Sequence, residues 1–565
     1  FACDEATAVL TLSCSSDAQP RTAALLRVEA EPLASAPPQV LAAARQAAAL
    51  VGEGFYGVDL KELEGGEVVV MEVNDNPNLD LGYEDAAEGD RVYQAIAQHF
   101  LTRIQSGFRK PPPPRRSAQE EALAAWRTPI AAAEAAQAEP PYPAFGVCGI
   151  ELEYAVVDRD LNAASLVEPA LALLAGRPTS EVTLGVVGLT NEITDHVLEL
   201  RTDEPLTSLV ETERVLVEAV RRLGALLAGR FRGARLLPCA MHPWLEPQRA
   251  KLWRRSNRKI YGTYERLFDT ATHGWRNVQA CHVNLPLGGE EEAVALMNAA
   301  ALLVPYLPAL AASSPLVEGE LGPAVDNRVA HLLTHQVKIP ESQGELVPEF
   351  TTSLKAYKRD VLGTMYRAVD RLPDAAPIRR EYLNARGAVF KFSRESLEVR
   401  IVDMQECVHA DVALAAFVRW ALRDLSRQLL KGELELPEHA LLVADLHATA
   451  EQGSAARVHA PFLDLAERDA EGRAPVQRAL TALLAGARRC ASAEEAPYLD
   501  LVERIAAAGS LSERIAAALR PYQDDEDAFT EAARRLYIEL ADCLLDNQPW
   551  RGRFEPWPRE RGAVG

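Results

Sequence analysis

The amino-acid sequence predicts an α+β protein, and three observations carry that expectation. Short runs alternating apolar and polar residues, at 149–156, 197–200, 281–285 and 397–402, read as strands separated by helical stretches. From about Ala415 to Asn547 the pattern is almost wholly helical, rich in Ala, Leu, Glu and Arg, and carries no motif. Between Arg109 and Pro143 the prolines 111–114, 140, 141 and 143 flank an Ala/Glu/Gln run, the composition of a semi-rigid connection around one helix. The chain is accordingly divided into a module over 1–106, a linker over 107–143, a larger domain over 144–548 and a tail over 549–565.

Composition narrows the function classes. With 48% hydrophobic and 25% charged residues the 565-residue chain is globular and can bury several cores. A formal net charge of −21 argues against a nucleic-acid binder, because phosphate contacts need clustered Lys and Arg. The eight cysteines lie far apart without a CxxC pair, so neither a zinc site nor a disulfide framework is expected, and a reducing, cytoplasmic setting fits. The most membrane-like stretch, Ala299 to Ala312, is broken by Pro305 and Pro308 and too short to span; it reads as buried helix and loop. No basic stretch followed by an apolar run opens the chain, so no signal peptide is expected. The start on Phe1, within strand-like sequence, suits a chain with residues upstream.

Ahead of the linker, Gln39 to Val51 reads as a helix, followed by strands at 56–60 and 68–73 around a turn at Gly65 and Gly66. Asp59 lies on the first strand, with Glu72 and Asn74 on one face of the second. A hairpin would gather these three oxygen-bearing groups, the kind of shell that Mg²⁺ takes together with nucleotide phosphates. An Asn/Asp-rich turn after an edge strand is the plainer reading.

A second constellation follows the linker. In the run Gly149-Ile-Glu-Leu-Glu-Tyr154, Glu151 and Glu153 share one strand face while Ile150, Leu152 and Tyr154 share the other. Glu199, the pair His282 and Asn284, and the pair Glu398 and Arg400 repeat the arrangement on three further strands. Any one of these strands could present a solvated outer face. Four of them favouring Glu and His call instead for cations, since neighbouring carboxylates repel and are costly to desolvate. Cys281 faces away from His282 and reads as core.

These motifs resemble two ligase families. Residues from about Gln39 to Arg103 resemble the C-terminal part of a RimK-like ATP-grasp ligase, in which an aspartate and an ExN pair hold Mg²⁺ against ATP; Asp59, Glu72 and Asn74 match that motif, and Pro77 and Asp80 continue it. The lysines and adenine-contacting strand of that family would lie upstream of Phe1. The region from about Phe145 to at least Val408, and loosely to Asn547, is similar to the glutamate–cysteine ligase type 2, or carboxylate-amine ligase, family. It carries GIELE at 149–153, EITDHVLEL at 192–200, MHPW at 241–244, CHVN at 281–284, ASSP at 312–315 followed by Asn327 and Arg328, and LEVRIVD at 397–403.

The resemblance implies a partial ATP-grasp α/β module followed by a glutamine-synthetase-like antiparallel sheet domain with a helical C-terminal part. It implies an enzyme that uses ATP and Mg²⁺ or Mn²⁺ to phosphorylate a substrate carboxylate, after which an amine displaces the phosphate. Glu151, Glu153, Glu192, Glu199, His282 and Glu398 match the metal ligands, and Arg400 matches a phosphate-contacting arginine, with Arg386 and Arg328 as further catalytic candidates. His242 and Asn284 are assigned to the substrate pocket, although a loop histidine can equally order its neighbours. Glu192 and Glu199, seven residues apart, would point to opposite faces of one unbroken strand, so a turn or bulge near Thr194 and Asp195 is expected. The basic run Arg249 to Lys259, ahead of Tyr261 and Tyr264, suits either a solvated helix face or an anion contact.

The expected function is therefore an ATP-dependent carboxylate-amine ligase forming a γ-glutamyl or peptide-like amide on small amino-acid or peptide substrates, in a possible homodimer, without nucleic acid or membrane. Two alternatives stand beside it: a bifunctional ATP-grasp and carboxylate-amine ligase acting on a small peptide, and a nucleotide-binding protein whose N-terminal module only docks.

Overall fold

Alternating strands that each bury one apolar face must pair, and they do so here in a mainly antiparallel sheet backed by helices. The structure, a computed structural model, describes residues 9–14, 26–31, 35–51, 56–63, 65–74, 89–105 and 123–552. The chain forms two compact units, 1–117 and 118–565.

In the first unit, β1 (Val9–Cys14) pairs antiparallel with β2 (Leu26–Glu31), and the helix Pro38–Val51 lies against a second antiparallel pair, β3 (Gly57–Glu62) and β4 (Val68–Asn74). A further helix spans Arg91–Gln105. The two strands expected to form a hairpin do pair, with Asp59 facing Glu72 and Gly57 facing Asn74. Pro77 and Asp80 lie outside the described residues.

The second unit is built on eight antiparallel strands: β5 (Gly149–Val157), β6 (Glu181–Leu184), β7 (Val187–Asn191), β8 (Val197–Thr202), β9 (Arg235–Leu237), β10 (Ala280–Pro286), β13 (Ala388–Lys391) and β14 (Ser396–Asp403), with β11 (Leu316–Val317) and β12 (Glu320–Leu321) forming a separate short hairpin. The order across the sheet is β13-β14-β10-β5-β8-β7-β6, and β9 pairs with the far end of β5. Ile150, Leu152, Tyr154, Leu198, Leu200, Cys281, Val283 and Val399 enter one continuous core with the helices Leu209–Arg230, Glu290–Leu303 and Val408–Leu430. The first of these helices starts where Ser208 accepts the Glu211 amide, and apolar positions along one side seat it on the sheet. A smaller core joins Val157, Leu161 and Leu237 to Ile515, Phe529 and Tyr537 from the C-terminal helices and to Trp550 beyond them. Residues 299–312 are buried helix and turn, as expected, and among the described residues no helix is long and apolar enough to cross a membrane.

One reading left open for the strands falls away, and one expected boundary is corrected. Every residue of β5 is buried, so its acidic face is covered and not a solvated outer surface. The second half of the expected linker belongs to the sheet domain. Ile130, only 1% exposed, bridges to Gly185 in the β6–β7 turn and joins the core, and Ala136 receives Thr207. Proline spacing conveys stiffness but not which apolar side chain finds a distant pocket. Gly185 is required there: its φ is +72° and a Cβ would sit 2.1 Å from the Ile130 carbonyl oxygen. Ile130→Ala should therefore cost about 2–4 kcal/mol of unfolding free energy in urea, as removal of a fully buried isoleucine does; a cost near zero would return this segment to the linker.

Candidate active site

The polar face of the sheet is where the sequence-predicted residues meet. Across β5 and β10, Glu151 faces His282; across β5 and β8, Glu153 faces Glu199; across β10 and β14, Asn284 faces Glu398. The break expected between Glu192 and Glu199 is the β7–β8 connection, in which the Glu192 amide donates to the Val197 carbonyl and Thr194 bridges to Leu252. It folds Glu192 back over the same face.

Two overlapping clusters result. Ligand atoms of Glu151, Glu199 and His282 lie within 4.8 Å of one another, as do those of Glu153, Glu192 and Glu199. Glu199 belongs to both. They floor a cavity of about 560 Å³ whose far wall carries Tyr261, Tyr264, Trp275 and Tyr382, with Lys391, Arg394 and Arg400 on the β13–β14 side. Tyr261 and Tyr264 come from the helix Arg258–Phe268, and Tyr264 stacks on Trp275 at 4.9 Å between ring centres.

The charges are unevenly balanced. His282 Nδ1 stands 3.1 Å from Glu151 Oε2, and Arg394 Nη1 donates to Glu151 Oε1 at 3.0 Å. Burial alone would raise the Glu151 carboxyl, but the hydrogen bond and charge of His282, with Arg394 and Lys391, hold it at about 2. His282 is raised: burial opposes its charge, but Glu153, Glu151 and Glu398 outweigh burial. Glu398 lies 3.3 Å from Lys391 and 3.2 Å from Arg400, and these cations overcome burial to keep it below its ordinary range. At the other cluster burial prevails. Burial, then the charge of Glu153, pushes Glu192 up to about 8; Glu199, despite Arg201 at 3.2 Å, is pushed well up by burial and by Glu151, Glu192 and Glu153. A group of carboxyls that cannot all ionise on protein charges alone could hold hard cations.

Several predicted residues do other work. Arg386 makes a two-pronged ion pair with Glu349 at 2.5 and 2.6 Å and is absent from the cavity lining, so it is architecture. Arg328 reaches the cavity edge, but it pairs with Asp403 and donates to the Ile401 carbonyl at 2.7 Å. That carbonyl is turned toward it by a bulge in β14, where Arg400 and Ile401 together oppose His282. His242 does not line the cavity; it is buried with Nε2 3.0 Å from the Leu161 carbonyl and Nδ1 accepting the Trp244 amide. Asn284 donates to Glu151 at 3.3 Å from beneath the site. Within the basic run, Arg249 and Arg255 are paired with Glu246 and Glu168. Lys391 and Arg394 were not singled out in the sequence; the signal was the hairpin KFSRES directly ahead of LEVRIVD.

The covered sheet face thus gathers carboxylates and a histidine, with arginine and lysine at its edge, against a cavity walled by aromatic rings. The chain belongs to glutamate-cysteine ligase family 2, whose model matches residues 147–539. It is an ATP-dependent ligase that joins an acid to an amino acid. An uncharacterized protein of Archaeoglobus fulgidus is 36% identical over 306 residues, 54% of this chain and 80% of that protein. Among solved structures, the glutamate–cysteine ligase of Francisella tularensis in complex with AMP aligns with a TM-score of 0.48 at 14% identity, covering 71% of this chain and 89% of that chain. A bifunctional glutathione synthetase from Pasteurella multocida aligns with a TM-score of 0.43 at 16% identity over 70% of this chain and 52% of that one. The complex between the prokaryotic ubiquitin-like protein Pup and its ligase PafA gives 0.36 at 13% identity over 71% of this chain and 70% of that chain. The family match begins at residue 147 and does not bear on residues 1–106.

Because Glu192 makes no ion pair among the described residues and sits among like charges, Glu192→Gln should melt no lower than the parent in metal-free buffer. Mn²⁺ at about 100 times its Kd stabilises a one-site protein by about 2.7 kcal/mol. The parent should show that rise in Tm and the variant should lose most of it; a variant that melts lower without metal, yet responds fully, would remove Glu192 from the site.

Proposed function

We propose that residues 118–552 form an amide between a substrate carboxylate, such as the γ-carboxyl of glutamate, and an amine, through an acyl phosphate made from ATP. The observation that carries this reading is the pair of buried carboxylate clusters joined at Glu199. Their donor sets, three carboxylates in one and two carboxylates with an imidazole in the other, fit Mg²⁺ or Mn²⁺. Bound there, divalent cations would supply the charge that lets one anion approach another and would orient the polyphosphate.

The chain's own residues do the rest. A carboxylate oxygen of the substrate bonds to the γ-phosphorus as the bond from that phosphorus to the β–γ bridging oxygen breaks and ADP leaves; the amine then bonds to the acyl carbon and inorganic phosphate departs. Arg400, held by Glu398 at 3.2 Å and by the Asn384 carbonyl at 3.1 Å, lines the cavity with part of its guanidinium exposed, positioned to meet charge on the transferring group. The aromatic wall excludes water from the acyl phosphate. No protein nucleophile is needed, and Cys281 is fully buried on the apolar face behind His282.

A second reading attaches to residues 1–106. Asp59 and Glu72 face each other across β3 and β4, which supports a RimK-like metal triad with Asn74 and hence a bifunctional ligase.

Arg400→Lys keeps the charge but loses the planar fork. Turnover, read as ADP release with Mg²⁺, should fall by roughly 10²-fold, as when one transition-state donor is removed. Tm should barely move; lost stability with near-normal turnover would make Arg400 a structural partner of Glu398. The double variant Asp59→Asn, Glu72→Gln should leave ADP release with glutamate-like carboxylates unchanged, and complete loss in a folded protein would make the first unit part of the same catalytic cycle.

A further inference from the structure

Arg394 occupies an unusual position for an arginine bonded to a buried carboxylate. Its side chain is 59% exposed and lines the cavity from the turn between β13 and β14, where Glu395 adopts a φ of +49°. Its single ion pair among the described residues is to Glu151, whose side chain is 10% exposed and belongs to one of the two carboxylate clusters. The side chains on either flank of the turn are engaged elsewhere: Ser393 Oγ donates to Glu381 at 3.0 Å, and the Lys358 ammonium lies 4.2 Å from the centre of the Phe392 ring. Arg394 can change partner by rotation of its own side chain.

Glu151 is fully subscribed only while Arg394 stays. Oε2 faces His282, and Oε1 takes both Arg394 at 3.0 Å and Asn284 at 3.3 Å. Lys391 differs: it lies on β13 with a buried stem against Glu398, and it leaves Glu151 to Arg394. A cation binding between Glu151, Glu199 and His282 would draw on a carboxylate whose charge the guanidinium already neutralises, and the two positive charges repel each other across it. An exposed arginine is released at small cost, and among the described residues no second carboxylate lies in ion-pair range of it.

Resting on the ligase reading, we infer that Arg394 is a stand-in cation: it holds Glu151 until a divalent metal ion takes that carboxylate, and the released guanidinium then swings over the cavity mouth onto the polyphosphate of the nucleotide. The planar fork suits phosphate oxygens, and the exchange couples metal loading to nucleotide capture. Lys at this position would make the same exchange with a poorer phosphate grip.

The test uses the full chain, with Mn²⁺ binding followed by electron paramagnetic resonance without nucleotide, and ADP release measured separately against ATP concentration. Removing the competitor in Arg394→Met should tighten Mn²⁺ binding by about fivefold, the range of an ion pair with one exposed partner. The same variant should raise the KM for ATP about tenfold or more, and Arg394→Lys should recover part of that loss with a parental Tm. Mn²⁺ affinity that is unchanged or weaker in Arg394→Met overturns the exchange, and an unchanged KM for ATP overturns the phosphate contact. Parent protein that binds no Mn²⁺ at all overturns the metal reading beneath both, an outcome distinct from either.

Discussion

Everything in the sheet domain is subordinate to one electrostatic constraint, the burial of Glu151, Glu153, Glu199 and Glu398, with the half-buried Glu192 beside them, on one covered face. Carboxylates in such a place are tolerated only when charge is brought to them or when they keep their protons. The protein does both. On the β10–β14 side it supplies His282, Lys391, Arg394 and Arg400, and the carboxylates there stay ionised. On the β8 side it supplies little beyond Arg201, and the carboxyls there resist ionisation. The gradient from satisfied to unsatisfied charge runs across the sheet face and distinguishes it from an internal salt-bridge network.

The scaffold explains how such a face persists. Helices 209–230, 290–303 and 408–430 press the opposite surface of the sheet into a core of nearly complete burial, so the strands cannot rotate to release their acids. The second core, under the far ends of β5 and β9, extends the same anchoring to the C-terminal helices. Arg328 ties Asp403 at the end of β14 to the bulge beside His282.

What could be read from the sequence was local. Strand alternation put Glu151 with Glu153 and Glu398 with Arg400, because a period of two needs no knowledge of partners. The turn between Glu192 and Glu199 was legible as an arithmetic necessity. The role of Arg386 was not, since its partner Glu349 lies 37 residues earlier and no pattern joins them. Nor was the bulge in β14, which depends on how two strands far apart in the chain fall into register. Ile130 was hidden inside proline- and alanine-rich sequence, where one apolar residue carries no periodic signal. His242 stood in a conspicuous motif, but its imidazole orders the loop between Leu161 and Trp244.

The shared position of Glu199 has a consequence for how this site can diverge. A residue common to both clusters cannot be exchanged to suit one cation without altering the other, so drift there is closed off. Each cluster also has ligands of its own: His282 with Glu151 on one side, Glu192 with Glu153 on the other. An imidazole favours later transition metals more than a carboxylate does, while an all-oxygen set favours magnesium. Metal preference could thus be rewritten one seat at a time through His282 or Glu192, with Glu199 as the fixed hinge of the lineage.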